Sequence, residues 1–213
     1  MEQVGTITKI EAQKNNEQRC SIFVDNKFLL GVSAELVYKL QQEKGEILTQ
    51  AVLQQLLDEE ELLDAKQAAF NLLSYRQRSK QELKERLLRK DYSLEVINQV
   101  IKVLERLDYL DDYQFAISWI KDRITKGFGP YRIKNQLKEK GISNDIIEKC
   151  LKEEYNSELE YDLAFKLAAK KKKHYLDVDE YERRYKLSQV LKRKGFSFEI
   201  INIVLDDLLE EGD

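Results

Sequence analysis

The chain contains very little proline, cysteine, histidine or tryptophan. Its 213 residues include one proline, one histidine, one tryptophan and two cysteines. A single proline is compatible with long helices, because proline removes a backbone donor and disrupts a helix interior. One histidine and two cysteines cannot build a metal site of the ordinary Cys/His type. We therefore predict a helix-rich protein without such a metal site.

Long apolar runs are also lacking. No segment is apolar for long enough to span a bilayer, and the N-terminus has no basic stretch followed by an apolar one. We therefore expect a soluble, cytoplasmic protein that does not contact a membrane. Cys20 and Cys150 lie far apart in sequence, and cytosolic disulfides are rare. The prediction for both is a reduced, buried thiol.

Motifs for nucleotide chemistry and acid–base catalysis are missing. The sequence has no GxxxxGK[ST] loop and no GxGxxG, and Gly127-Phe-Gly129 is too short to cradle phosphates. His174 follows a run of lysines, where we interpret it as a bystander rather than a general base. No pair of acids stands at a recognisable spacing with a partner base. We predict a protein that is not an enzyme and binds no cofactor.

The most regular stretch is Asp111 to Gly141. Asp111 and Asp112 are N-cap candidates, because their carboxylates can accept the free N–H groups of a first turn. Pro130 suits the first turn of a second helix, and Gly141 suits the left-handed residue after it. One face of the first helix consists of Phe115, Ala116, Trp119 and Ile120.

The same pattern occurs three times between about residue 62 and the C-terminus. Each copy has a helix, a residue that tolerates left-handed backbone, an apolar residue, a serine and another helix. The left-handed positions are Asp91, Gly141 and Gly195, and the apolar residues are Tyr92, Ile142 and Phe196. The predicted helices are 63–75, 80–90 and 94–107, then 112–126, 130–140 and 144–155, then 158–174, 180–194 and 198–210.

Residues 4–32 alternate in polarity and predict a small three-stranded antiparallel sheet. Asp25-Asn26 has the length of a tight hairpin turn. Ser33 is a candidate N-cap for a helix that Val37 and Leu40 would anchor, ending near Gly45. We interpret the acidic segment Asp58 to Glu61 as the junction between this module and the repeats.

The predicted fold class is mainly α. We expect an elongated, curved array of three tandem three-helix repeats with a small N-terminal antiparallel β module. The predicted domains are residues 1–57 for that module, then 58–110, 111–157 and 158–213 for the three repeats.

Charge is sorted by helix, although the net charge is only −3. Residues 76–90 and 121–140 each hold seven cations and two acids, a net +5, and residues 183–194 hold six cations and no acid. The third helices of the last two copies are acidic: residues 143–160 carry a net −4 and residues 197–213 a net −6, while that of the first copy is only weakly acidic. We expect stacked repeats to place the basic helices on one side.

A basic stripe of this kind attracts phosphates or an acidic protein face. The alternative is a charged helix surface that serves only solubility. Lys170 to Lys173 likewise suits either a helix C-terminus, whose dipole favours cations, or a phosphate contact. The predicted contact residues are Arg76, Arg78, Lys84, Arg123, Lys126, Arg132, Lys134, Lys138, Arg183, Arg184, Lys192 and Arg193.

Aromatic residues offer fewer candidates. Trp119 is either a base-stacking or interface anchor, or a core residue beside Phe115 and Ile120. Its apolar neighbours at helical spacing favour the core. Phe128 and Tyr131, next to a basic cluster, are the best candidates for exposed aromatic contacts.

The middle repeat resembles the central signature of the RecX family, the bacterial regulators of the RecA recombinase. The resemblance extends from about Leu62 to the C-terminus, and the N-terminal strands are similar to the extension of members from Gram-positive bacteria. Asp91 departs from the glycine of the pattern. The residues in register are Asp112, Phe115, Ala116, Trp119, Arg123, Gly129, Arg132, Ile133, Leu137, Lys140 and Gly141.

The resemblance implies a negative regulator that lies in the groove of the RecA filament on single-stranded DNA. It implies inhibition of ATP hydrolysis, strand exchange or filament extension, and some members bind DNA directly. We expect the protein to be a monomer. The residues alone indicate only a non-enzymatic binder of something acidic and extended. Two alternatives therefore stay open: a helical-repeat protein that binds nucleic acid directly, and a helical scaffold for protein partners.

Overall fold

The structure, a computed structural model, describes residues 2–210 except the side chain of Glu210. Residue 1 of the predicted β module and residues 211–213 of the predicted third repeat lie outside it. In the described part of the chain, no helix contains an apolar stretch that could span a bilayer. The elements are β1 (Gln3–Gln13), β2 (Asn16–Val24), β3 (Lys27–Ser33), α1 (Ala34–Lys39), β4 (Ile47–Thr49), α2 (Gln50–Tyr75), α3 (Lys80–Leu88), α4 (Leu94–Arg106), α5 (Asp112–Thr125), α6 (Pro130–Glu139), α7 (Asn144–Glu154), α8 (Ser157–Lys172), α9 (Glu180–Lys194) and α10 (Phe198–Glu210).

The described residues divide into two compact units. The first contains the residues up to Tyr75 together with Arg86–Val103. The second contains Arg76–Glu85 together with the residues from Leu104 onward. The N-terminal sheet therefore belongs to the first unit, and the second and third repeats belong to the second.

The N-terminal sheet has four strands, and the prediction of three was wrong. The strand order is β3-β2-β1-β4, and every neighbouring pair is antiparallel. Strand β4 pairs with Gln3 to Thr6 of β1, and its three residues are too few to show alternation in the sequence. The predicted hairpin turn is confirmed, because Asp25 and Asn26 have φ values of 47° and 62°.

The core of the first unit lies between this sheet, α1 and α2. Ser33 caps α1 as predicted, since its hydroxyl accepts a hydrogen bond from the Glu35 N–H. The helix ends at Lys39, not near Gly45 as predicted. The fully or nearly fully buried residues of this core are Ile7, Ile22, Val24, Val32, Leu36, Leu48 and Leu56.

The acidic segment interpreted as a junction lies inside α2, a continuous helix of 26 residues. Three successive glutamates of the segment have separate partners. Glu59 pairs with Lys39. Glu60 pairs with Arg19 at 2.6 Å and accepts the Ser33 N–H, and Glu61 accepts the Ser93 N–H at 2.8 Å. These carboxylates attach α2 to the sheet and to the start of α4.

The three predicted three-helix repeats are confirmed. They consist of α2–α4, α5–α7 and α8–α10, and eight of the nine helices agree with the predicted bounds to within two residues. The exception is α2, which begins at Gln50 rather than near residue 63. The predicted left-handed positions are also confirmed, with φ values of 65° at Asp91, 75° at Gly141 and 87° at Gly195.

The second and third repeats each have their own core. Ile133, Leu137 and Ile147 are fully buried in the second, and Leu187, Leu191 and Val204 in the third. Both cysteines are free thiols, but only Cys150 is buried. Cys20 is half-buried, because it lies in the part of β2 that precedes the buried residues of this strand.

Candidate functional site

The repeats of the second unit are joined end to end through helix termini. The start of α6 contacts the turn after α9: the Gly129 N–H donates to the Lys194 carbonyl at 2.9 Å, and the Tyr131 N–H to the Gly195 carbonyl at 3.0 Å. The Arg132 guanidinium donates to the Arg193 carbonyl at 3.0 Å. These bonds pair groups that have no partner within their own helices.

The start of α3 receives the turn after α6 in the same way. The Ser79 hydroxyl donates to the Lys140 carbonyl at 2.6 Å, and Lys140 pairs with Glu82 at 2.6 Å. Gly141 packs so closely on Gln81 that a Cβ would collide with its side chain. Ser79 and Gly129 therefore occupy equivalent positions, and so do Lys140 and Lys194.

The two predicted N-cap aspartates have different roles. Asp111 caps α5 as predicted, since its carboxylate accepts from the N–H groups of Tyr113 and Gln114. Asp112 is buried and accepts the Lys80 N–H at 2.9 Å, so it caps α3 of the preceding repeat. Burial raises the pKa of Asp112, and the hydrogen bond from Lys80 opposes that rise.

Cations gather around two aromatic rings beside these junctions. The Arg123 guanidinium lies 3.9 Å from the centre of the Trp119 ring, and the Lys140 ammonium lies 4.3 Å from it. Around Phe128, Arg132 and Lys194 lie at 4.5 and 4.4 Å. Each such contact is worth about 0.5–2 kcal/mol. We call this group the junction cluster: Trp119, Arg123, Phe128, Arg132, Lys140 and Lys194.

Trp119 is half-buried, which supports its interpretation as part of the core. Its ring stacks on Phe115 with 5.8 Å between the ring centres, and its indole N–H donates to Gln136. Because Arg123 and Lys140 lie over the ring, Trp119 holds cations in place instead of offering a free face to a base.

Three of the twelve predicted contact residues hold the fold together. Arg123 is only 17% exposed at its side chain, and its Nε has no hydrogen-bond partner in the described part of the chain. Arg132 binds the Arg193 carbonyl. Arg183 donates to three carbonyls of the loop before α9.

Four more of the twelve are paired with carboxylates. Arg76 pairs with Glu82 at 2.9 Å and Lys126 with Asp122 at 2.8 Å. The other two bridge a basic helix to the acidic helix after it, as Lys134 pairs with Glu148 and Arg184 with Asp206. The predicted separation of the basic and acidic helices is therefore incomplete.

Four of the five remaining cations are available to a partner. Lys84, Lys138, Lys192 and Arg193 form no ion pair within residues 2–210; the last three are exposed and Lys84 is half-buried. Lys138 and Lys192 occupy the same position in successive repeats, near the ends of α6 and α9. Arg78 is half-buried in the segment before α3.

Lys140 and Lys194 were not among the predicted contact residues. A sequence signal exists, since each precedes the left-handed glycine of its repeat. The sequence does not show which aromatic ring each lysine contacts, because Trp119 and Phe128 lie on other elements. Within the described residues, no group of three or more His, Cys, Asp or Glu side chains is placed to hold a metal ion.

Glu82 is the most strongly perturbed carboxyl group at the junctions. Burial raises its pKa, but hydrogen bonds from Arg76 and Lys140 outweigh this and lower the pKa to about 2, from an ordinary 4.5. A depressed pKa means that the ionised group stabilises the fold above pH 4.5. That contribution is lost as the pH falls towards 2.

We therefore expect Glu82→Gln to lower the free energy of unfolding by about 1–2 kcal/mol near neutral pH, after discounting for solvent screening. At about pH 3, less than half of this difference should remain, because this pH lies between the pKa values of the unfolded and folded states, where part of the stabilisation is already lost. Urea unfolding of both proteins at the two pH values measures the difference. An equal difference at both would contradict the depressed pKa.

Models of one protein family match four segments that cover most of the chain. Residues 5–49 match the regulatory protein RecX N-terminal domain, and residues 65–106, 111–151 and 158–205 match the first, second and third RecX three-helix domains. The chain belongs to the RecX family. The resemblance seen in the middle repeat is therefore confirmed over nearly the whole length.

Individual RecX proteins agree with this assignment. Regulatory protein RecX of Clostridioides difficile is 34% identical over 207 residues, which cover 97% of both chains. That of Bacillus pumilus is 36% identical over 204 residues, covering 94% of this chain and 76% of the relative. A crystal structure of regulatory protein RecX has a TM-score of 0.79 and 28% identity, covering 95% of this chain and 100% of the other.

Proposed function

We propose that this RecX-family protein is a non-enzymatic negative regulator of the RecA recombinase. It binds the groove of the RecA filament on single-stranded DNA and inhibits ATP hydrolysis, strand exchange or extension. Family membership supports the regulatory role, since the relatives carry the name regulatory protein RecX. The target and the mode of inhibition are our proposal.

The observation that carries the proposal is the repetition of available cations at equivalent positions of successive repeats. Lys138 follows the core residue Leu137, and Lys192 follows the core residue Leu191, so both are held by rigid helices. The junctions fix the turns that come after these lysines. A surface that presents cations at equivalent positions of two repeats suits a partner whose acidic groups repeat, such as a filament.

The test is co-sedimentation with RecA filaments, with RecA alone and with single-stranded DNA alone, while ATP hydrolysis is followed in parallel. We expect sedimentation with the filament, and inhibition of hydrolysis when regulator and RecA are present at similar concentrations. Absence of both effects would overturn the proposal. If ATP hydrolysis is inhibited without filament binding, and added single-stranded DNA relieves the inhibition, the effect would be assigned to sequestered DNA.

A further inference from the structure

The two junctions between repeats use the same two kinds of surface. In each, the start of a middle helix, α3 or α6, contacts the turn after the middle helix of the next repeat. Among the described residues, the start of α9 and the turn after α3 are the surfaces of these two kinds that neither junction uses. A second copy of the chain could bring one of these unused surfaces against the other.

The turn after α3 has the same backbone as the turns that form junctions. The Asp91 N–H donates to the Leu88 carbonyl at 3.0 Å. In the same way, the Gly141 N–H donates to the Lys138 carbonyl at 2.9 Å. The first turn is less covered, however, because Tyr92 is only half-buried, whereas the apolar residues after the other two turns are buried.

An open groove of about 350 Å³ lies beside this turn, lined in the described structure by α2 and the turn itself. Four of its α2 residues are Asp64, Gln67, Ala68 and Asn71. Fifty-one positions later, the corresponding groove of the second repeat is lined by Phe115, Ser118, Trp119 and Asp122. In the second repeat, Arg76 and Gln77 of the preceding repeat form the other wall. The groove of the first repeat therefore lacks the wall that a preceding repeat would supply.

The start of α9 is built like the start of α3. The Glu182 N–H donates to the Asp179 carboxylate at 2.7 Å. At the start of α3, the Glu82 N–H donates to the Ser79 hydroxyl at 3.1 Å. Residues 179–182 are exposed, and α9 has one turn more than α3 between its cap and its first fully buried leucine. The start of α9 is therefore accessible to another molecule.

The charges of the two unused surfaces are complementary. Glu82 of α3 pairs with Lys140 across its junction, at 2.6 Å. The corresponding residues of the unused surfaces are Glu182 and Lys90, and Lys90 is exposed without an ion pair in the described part of the chain. Glu182 pairs with Lys186 of its own helix at 2.7 Å, and an exposed pair of this kind is weak enough to exchange. A contact between copies would thus repeat the ion pair of the junction.

The side chain of Asp91 opposes this contact. A Cβ on Gly141 would lie 2.4 Å from the Cβ of Gln81, and a Cβ on Gly195 would lie 2.4 Å from the Cβ of Arg132. Both junctions therefore require glycine at this position. Asp91 has the same left-handed backbone, with a φ of 65°, but it carries the Cβ that the junctions exclude.

We propose that Asp91 prevents copies of this protein from joining head to tail through the turn after α3 and the start of α9. A contact between two different surfaces leaves each added copy with a free surface, so it continues into open chains unless a ring closes. Terminal repeats of stacked arrays need an outer surface that resists such growth. The inference goes beyond the proposed function, because it concerns contacts between copies and requires neither RecA nor DNA.

Replacement of Asp91 tests the proposal directly. Asp91→Gly removes the Cβ, and Asp91→Asn is the matched control, because asparagine loses the same charge but keeps the Cβ and tolerates a positive φ. Sedimentation velocity of the full chain at up to about 1 mM detects contacts with dissociation constants in that range. We expect the average mass of the glycine variant to rise at least about twofold with concentration, while the asparagine variant and the unmodified protein stay monomeric.

Two results of this comparison would overturn the proposal. A glycine variant that stays monomeric would mean that the Cβ is not what keeps copies apart. Association of the asparagine variant or of the unmodified protein would mean that the Cβ does not prevent the contact.

Charge variants locate the contact on the two surfaces. In the Asp91→Gly background, Lys90→Glu and Glu182→Lys each replace the expected ion pair by a repulsion, so each protein alone should be mainly monomeric. A mixture of the two should associate again, because each variant then offers the charge opposite to the one on its partner. Association of either variant alone, or a mixture that stays monomeric, would overturn the pairing of these surfaces.

Discussion

Replacement of Gly129 by alanine is expected to lower the free energy of unfolding by about 3 kcal/mol or more. A Cβ at this position would lie closer than 3.0 Å to the carbonyl group of Gly195 and to the backbone nitrogen of Phe196. These are backbone atoms of the next repeat, so they cannot rotate away, and forced overpacking of this kind costs about 1–3 kcal/mol or more. Loss of the bonds between α6 and the turn after α9 adds to this cost.

Gly127→Ala is the matched control. Gly127 has a φ of 65°, which alanine adopts only with strain, but a Cβ there meets nothing within 4 Å. Its expected cost is about 1–2 kcal/mol, from the backbone alone. Urea unfolding, followed by the fluorescence of the single tryptophan, measures both variants. If Gly129→Ala cost no more than Gly127→Ala, the close approach of the second and third repeats would be wrong.

Local signals were strong enough to predict most of the fold. The caps at Ser33 and Asp111, the turn at Asp25-Asn26 and the left-handed residue Gly141 all depend on residues a few positions apart. Their sequence chemistry therefore determines them directly. Strand β4 was missed because three residues show no period, and its stability comes from pairing with β1.

Contacts between distant residues could not be predicted in this way. The sequence places Gly129 in register with the family signature, but its neighbour Gly195 lies 66 positions away in the sequence. The start of α2 was misplaced because the acidic residues that suggested a junction are bound by Arg19 and Lys39. In the sequence, a glutamate that forms an ion pair cannot be distinguished from one that contacts only solvent.

The same limit applies to the contact residues. The sequence shows which helices carry cations, but ion pairs form between helices, so it does not show which cations remain available. Lys134 forms an ion pair with Glu148. Lys138, one turn further along α6, has no ion pair in the part of the chain that the structure describes. Arg132 binds a carbonyl and a ring. Charge reversal at Arg132 would therefore disturb the fold as well as binding.

Reversal of Lys138 and Arg193 to glutamate is the sharper test of the filament surface. Both side chains are exposed, and neither forms an ion pair with the described residues. Because they lie in the last turns of α6 and α9, where the helix dipole favours cations, the free energy of unfolding should fall by only about 1–2 kcal/mol. Replacing a cation by glutamate turns an attraction to an anionic partner into a repulsion. Each such change should weaken the free energy of binding by about 1 kcal/mol or more. We expect filament binding to weaken at least tenfold, with the difference shrinking as salt is added.

The control must change the net charge equally. Lys27→Glu with Lys44→Glu does so at exposed positions of the first unit. Titration of RecA filaments with the three proteins, read by co-sedimentation and ATP hydrolysis, gives the comparison. A selective defect in the Lys138 and Arg193 variant places the contact on the ends of α6 and α9. Equal defects would mean that the filament responds to net charge, because a general electrostatic attraction depends on the total and not on the position. In that case Lys138 and Arg193 would not form a specific surface.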